Sequence, residues 1–162
     1  MLLQVLPSYI YRYQNRSCNL VFLEITHPAP LPNDLVFEIL GAKLPPPKPS
    51  LKIVVVEAHH LSVTLSWDIP SAELTSCANI QRYQIYAYME TSAVPSESLW
   101  RKVGHDILAS RLPIAGRLSH FALGNRYHFA VRAIDKDARM GPFSQPQTAF
   151  FPKSHKALKL RG

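Results

Sequence analysis

Between residues 61 and 67, large apolar side chains fall on every second position: Leu61, Val63, Leu65 and Trp67, separated by Ser62, Thr64 and Ser66. An extended chain turns successive side chains to opposite sides, so this spacing gathers the four apolar groups on one face and the hydroxyls on the other. A helix would scatter them around its axis. Tyr83, Ile85 and Ala87 make a second such row, and Tyr127, Phe129, Val131 and Ala133 a third, opposed by Arg126, His128 and Arg132. Adding the apolar stretches 51–58, 99–104, 114–121 and 144–151 predicts seven short strands, and no helical pattern of comparable length competes. The expected fold is all-β, an antiparallel sandwich of two sheets.

A chain of 162 residues has room for one ordinary domain and a flanking segment. Apolar content of 47% against 18% charged is that of a packed core rather than a disordered chain. Two proline clusters punctuate the first third, Pro28-Ala29-Pro30-Leu31-Pro32 and Pro45-Pro46-Pro47-Lys48-Pro49. Proline fixes φ and removes a donor, so both should be extended and polyproline-like. The division expected is an irregular segment over 1–44, a proline-rich linker acting as a spacer over 45–50, the sandwich over 51–151 and a basic tail over 152–162. The apolar windows 20–25 and 35–40 lack clean periodicity and are assigned to no domain.

Charge is unevenly placed. The net charge is +7, and four basic residues with no acidic ones follow residue 151: Lys153, Lys156, Lys159 and Arg161. A short tail of this kind is ordinarily a solvated end, so direct nucleic-acid binding is not expected. Cys18 and Cys77 are the two cysteines, too few for a disulfide framework, and a reducing compartment fits. The start lacks the basic and apolar regions of a secretory signal, so Asn15-Arg16-Ser17 is read as a chance match to the glycosylation pattern. No stretch approaches the ~20 apolar residues a membrane helix needs.

Catalytic chemistry finds little footing. The six glycines stand alone, which leaves neither a phosphate-cradling loop nor a nucleophile elbow. His59 and His60 are adjacent and on a strand would point to opposite faces, while His105, His120 and His128 lie in separate elements without neighbouring Cys or carboxylate spacing. Asp135 and Asp137 flank a loop, where carboxylates cap turns. No catalytic residue, metal site, cofactor or small-molecule substrate is expected.

The details resemble fibronectin type III domains, which are immunoglobulin-like sandwiches. Leu65-x-Trp67-x-x-Pro70 is similar to the end of their second strand and Ile80-x-x-Tyr83-x-Ile85 to their third. The run from Phe121 through Leu123-Gly124, Tyr127, Phe129, Val131 and Ala133 is similar to the corner and strand that follow, with Leu123 where many relatives carry Pro. Asp135 and Gly141-Pro142-Phe143-Ser144 resemble the last turn. The resemblance assigns structural roles to Trp67, Tyr83, Ile85, Phe121, Tyr127, Phe129 and Val131, with Trp67 between the sheets and Tyr127 as a corner tyrosine whose hydroxyl bonds back to nearby backbone. Neither the second nor the sixth strand carries a Cys, unlike antibody-type domains.

A narrower resemblance rests on PPPKPSL at 45–51, Thr64-Leu65-Ser66-Trp67, Tyr83-Gln84-Ile85-Tyr86-Ala87-Tyr88, Val94-Pro95-Ser96, Trp100-Arg101-Lys102-Val103-Gly104, Leu112-Pro113-Ile114-Ala115 and Tyr127-His128-Phe129-Ala130-Val131-Arg132-Ala133. Together these look like the C-terminal domain of the activating transcription factor 7-interacting protein family, methyl-CpG-binding-protein-associated chromatin factors. His27 to Pro32 extends the match upstream. The resemblance implies a non-enzymatic nuclear adaptor that docks methyl-DNA-binding repressors and is linked to a histone H3 lysine-9 methyltransferase complex in heterochromatin. The alternative is an extracellular adhesion or receptor module, although neither Arg-Gly-Asp nor Trp-Ser-x-Trp-Ser occurs.

If Tyr83, Ile85 and Ala87 face the core, then Tyr86 and Tyr88 face away from it on the same sheet as Arg126, His128 and Arg132. Exposed tyrosines and arginines are enriched in interface cores. Arg82, Tyr86, Tyr88, Trp100, Arg126, His128 and Arg132 are therefore the candidate partner-binding patch, and replacing Tyr86 and Tyr88 with Ser should leave stability nearly unchanged. The competing expectation is that they are cross-strand pairs that stabilise the sheet.

Overall fold

The computed structural model describes residues 26–33 and 43–153. The expectations for Asn15, Cys18, the windows 20–25 and 35–40 and the basic tail from residue 154 lie outside the described residues.

Seven strands form: β1 (Ser50–Glu57), β2 (Ser62–Asp68), β3 (Ile80–Met89), β4 (Arg101–Leu108), β5 (Ile114–Leu118), β6 (Asn125–Asp135) and β7 (Gln147–Phe151). They make two antiparallel sheets, one ordered β1-β2-β5 and the other β4-β3-β6-β7. This is the seven-stranded sandwich that the alternation called for. No helix among the described residues is long and apolar enough to cross a membrane.

The core lies where the rows converge. Val63, Leu65 and Trp67 from β2 meet Tyr83, Ile85 and Ala87 from β3 and Phe129, Val131 and Ala133 from β6. Trp67 is 1% exposed, and its ring packs against Tyr83 at 5.6 Å. Its indole N–H finds no acceptor among the described residues. Burial pushes the Tyr83 hydroxyl up to about 12. Phe121 stacks on Phe151 and meets Tyr127 and Phe129 edge-on, closing one end of the core. The partly buried Tyr127 accepts the Ala122 N–H on its hydroxyl at 3.0 Å, which ties the turn before β6 to the strand.

Four expectations need correction. Leu61 does not join its row: it sits in the left-handed region at φ 47 after the turn Ala58–His60, and β2 begins at Ser62. Ser62 is itself buried, donating to Glu57 at 2.8 Å and accepting from Arg117. The fourth strand spans Arg101–Leu108 rather than 99–104, because a 3-10 turn over Glu97–Leu99 delivers the chain into it. Strand β5 ends at Leu118 instead of 121, since His120 adopts φ 70, and β7 starts at Gln147, after Pro146 has removed a donor from the ladder.

The second proline cluster packs onto the sandwich rather than standing off from it, with Pro46 and Pro49 fully buried. Gly141 is required there, because a Cβ at that position would collide with the Pro46 carbonyl. The preceding residues are fixed by Arg139, which donates to the Lys43 and Leu44 carbonyls while its Nε pairs with the buried Asp135 carboxylate at 2.8 Å. The same carboxylate caps its turn by accepting the Asp137 and Arg139 N–H groups.

Candidate functional site: the outer face of the four-stranded sheet

Register sets which side chains share the outer face. Tyr86 pairs with Ala130, Tyr88 with His128 and Gln84 with Arg132, while Arg126 lies opposite Phe150. Their neighbours Tyr83, Ile85, Ala87, Phe129, Val131 and Ala133 point inward. The phase of the strands therefore carries Tyr86, Tyr88, His128 and Arg132 outward from the core.

Outward is not exposed, and here the patch must be corrected. Tyr88, Trp100, His128 and Arg132 are all buried and Tyr86 is partly so; eight consecutive residues of β6, 128–135, are buried. Two covers lie over the sheet. Residues 26–33, which form no helix or strand, cross it with Ala29 only 3% exposed and Leu31 packed beside it, and Phe143 comes in from the turn after β6.

A proline-flanked extended segment cannot satisfy its own backbone, so it needs outside partners. Tyr88 and Trp100 supply them. The Tyr88 hydroxyl accepts the Ala29 N–H at 2.7 Å, and the Trp100 Nε1–H donates to the Ala29 carbonyl at 3.3 Å. The two rings meet edge-to-face at 4.7 Å, and together they grip both polar groups of one peptide residue. Burial raises the Tyr88 hydroxyl above its ordinary value, with the Ala29 N–H opposing that shift. Replacing Tyr88 with Ser would therefore remove structure, contrary to the sequence expectation.

Arg132 is held the same way. Its guanidinium lies 5.1 Å from the Tyr86 ring centroid and 4.7 Å from that of Phe143, and it donates to Gln84 Oε1 at 3.1 Å and the Tyr86 hydroxyl at 3.0 Å. Planar stacking with directional donation on the edge is what a guanidinium does well.

At the margins, side chains stay accessible. Arg82 pairs with Asp106 at 2.9 Å, and Lys102 contacts the same carboxylate. The Lys102 ammonium, ahead of Gln84 and Arg82, holds the Asp106 carboxyl below its ordinary range. At the other end Arg126 is 55% exposed, 3.9 Å from Glu90, and Phe150 is 52% exposed.

A histidine pair closes the covered region. His27 stacks on His128 at 5.6 Å with 10° between the rings, and Tyr88 also stacks on His128, at 4.7 Å. His128, 2% exposed, has Nδ1 2.9 Å from Thr148 Oγ1 and Nε2 3.0 Å from Glu90 Oε2. Burial lowers its pKa from the ordinary 6.5, against the opposing pull of Glu90. His27, Glu90 and His128 each present a ligating atom within 4.8 Å of the other two. They lie far apart in the chain, so no local spacing signalled the cluster; the sequence cues to the cover were the extended proline segment at 28–32 and the resemblance from His27 to Pro32.

The family described as a fibronectin-III type domain matches residues 44–148. Among curated proteins, the chain is 40% identical over 103 residues to activating transcription factor 7-interacting protein 1 of Homo sapiens, covering 64% of this chain and 8% of that protein. It is 36% identical over 116 residues to activating transcription factor 7-interacting protein 2 of Mus musculus, covering 72% of this chain and 24% of that protein. The chain thus spans under a quarter of the length of these relatives. Among solved structures, the third fibronectin III domain of the human KIAA0343 protein superposes with a TM-score of 0.54 at 22% identity, covering 74% of this chain and 92% of that one, which speaks for the fold alone.

Proposed function

Because the chain belongs to the fibronectin-III type domain family, we propose that it is a protein-interaction module of a nuclear transcriptional co-repressor, docking methyl-DNA-binding repressors and linked through them to histone H3 lysine-9 methylation. The observation that carries this is the 36–40% identity to activating transcription factor 7-interacting proteins 1 and 2, which extends over 103 and 116 residues, 64% and 72% of this chain. Those relatives' names describe proteins that engage a transcription factor, and the same likeness supports a nuclear location.

The docking patch we favour is the uncovered margin of the outer face, not its centre. Tyr86, Tyr88, Trp100, His128 and Arg132 are engaged within the chain. Arg126 and Phe150 remain, an arginine and an exposed phenylalanine in direct cross-strand register, with Arg82 at the far end. Such pairs supply the apolar area and directional donors that interface hot spots use.

The test is affinity capture with the tagged full chain expressed in cells. Nuclear enrichment is expected, with co-capture of a methyl-CpG-binding repressor that is lost in Arg126→Ala/Phe150→Ser while stability stays within about 0.5 kcal/mol, as for surface changes generally. Secretion into the medium, or capture unchanged by the double substitution, would overturn the proposal or its patch respectively.

A further inference from the structure

The buried imidazole of His128 meets a carboxylate on one side and a hydroxyl on the other. A carboxylate can only accept, so neutral His128 donates its Nε2 proton to Glu90 and its Nδ1 accepts from Thr148. Thr148 can equally accept a hydrogen bond. If the ring proton moves from Nε2 to Nδ1, Nδ1–H donates to Thr148 Oγ1, the hydroxyl hydrogen turns to the exposed side, and Nε2 presents a lone pair toward Glu90 with no net proton lost.

His27 offers a third ligand from a different part of the chain. Its Nδ1 lies 2.9 Å from the Tyr88 hydroxyl; with the ring proton on Nδ1 and donated to that oxygen, the ring is oriented and Nε2 keeps its lone pair for an ion. Ligating histidines in metal sites are oriented in this manner by a partner on the second ring nitrogen. Neighbouring ligands of a tetrahedral ion at ~2.0–2.1 Å stand about 3.3 Å apart. The His128–Glu90 pair already stands at 3.0 Å, and a ligating atom of each of the three residues lies within 4.8 Å of those of the other two, a gap that a shift of residues 26–33 would close.

The geometry points to a divalent metal site made by His27, Glu90 and His128, in which the ion takes the place of the proton between His128 and Glu90 and fastens residues 26–33 to the sheet. Two imidazoles and one carboxylate suit zinc and similar borderline ions and are a poor set for magnesium or calcium. The fourth position is left to water. Arg126, 3.9 Å from the same carboxylate and 55% exposed, can withdraw into solvent when the ion enters.

The experiment uses the EDTA-treated full chain, titrated with Zn2+ by calorimetry and with Co2+ by visible absorption, while exchange of the Ala29 amide is followed. One equivalent of zinc is expected to bind, slow Ala29 exchange and give way to EDTA, with no response to Mg2+; Co2+ should show the intense visible bands of a tetrahedral site. His27→Ala and Glu90→Gln, both at partly exposed positions, should abolish binding and the exchange effect together. Thr148→Val, which removes the acceptor for Nδ1–H, should weaken binding about 10–100-fold. Zinc uptake that is absent, or that persists in His27→Ala without slowing Ala29 exchange, would overturn the site and mark any bound ion as held by the surface histidines instead.

Discussion

The two faces of the four-stranded sheet are both buried, but by different means. The inner face is apolar and generic: Tyr83, Ile85, Ala87, Phe129, Val131 and Ala133 pack against the opposite sheet, and burial area sets their worth. The outer face is polar and particular. His128 meets Thr148 and Glu90, Arg132 meets Gln84 and Tyr86, and the cover of residues 26–33 and Phe143 is tied to the sheet at Ala29 by Tyr88 and Trp100. An apolar face tolerates any partner of the right volume; a polar one must be matched group by group, because each unmatched buried group costs about 1–3 kcal/mol. The inner face therefore defines the fold, and the outer face gives this sandwich its individual surface.

Substitutions on each face can sharpen the contrast. The largest effect belongs to the inner side: Trp67→Ala empties the space between the sheets and should cost about 3–5 kcal/mol, read as a lowered urea midpoint with global loss of structure. A loss below about 1 kcal/mol would mean the core does not depend on that ring. Tyr88→Phe keeps the ring contacts with Trp100 and His128 but orphans the Ala29 N–H, for about 1–3 kcal/mol. Its signature should be local, with fast hydrogen exchange at Ala29 while the β2 and β6 amides keep their protection. Global unfolding in that variant would erase the distinction between the faces.

The smallest effect is electrostatic and lies at the rim. Asp106 is held below its ordinary pKa of 3.8 chiefly by Lys102, with Gln84 and Arg82 assisting. A carboxyl that is more acidic when folded binds fewer protons than in the unfolded chain. Its stabilisation is therefore complete above pH 4 and disappears as the pH falls through the folded value. Asp106→Asn should flatten the acid limb of the stability profile below about pH 4 and change neutral stability by less than about 1 kcal/mol, as for partly exposed pairs.

How far the sequence could be read follows from the same contrast. Alternation in 63–67, 83–87 and 127–133 reports which side a residue takes, and it placed the core rows and the sandwich. It cannot report what lies over the other side. The outward phase of Tyr88, His128 and Arg132 was legible; their burial was not, because the covering residues come from 26–33 and from Phe143, remote in the chain or on a turn. His27, Glu90 and His128 escaped for the same reason, since His128 and Glu90 are 38 residues apart and meet only through the β3–β6 register. Strand ends were misjudged where a turn or a proline intervened, at Glu97–Leu99 and Pro146.

The covered outer face can be examined with one fluorophore. The chain has two tryptophans, so Trp67→Phe leaves Trp100 as sole reporter, and this exchange keeps an aromatic ring while deleting an indole N–H without an acceptor among the described residues. Acrylamide quenching of that variant should leave Trp100 nearly as shielded as a core residue, consistent with its contacts to Tyr88 and Ala29. Quenching close to that of the urea-unfolded chain, in a sample with intact β-sheet circular dichroism, would show the face open to solvent and contradict the account.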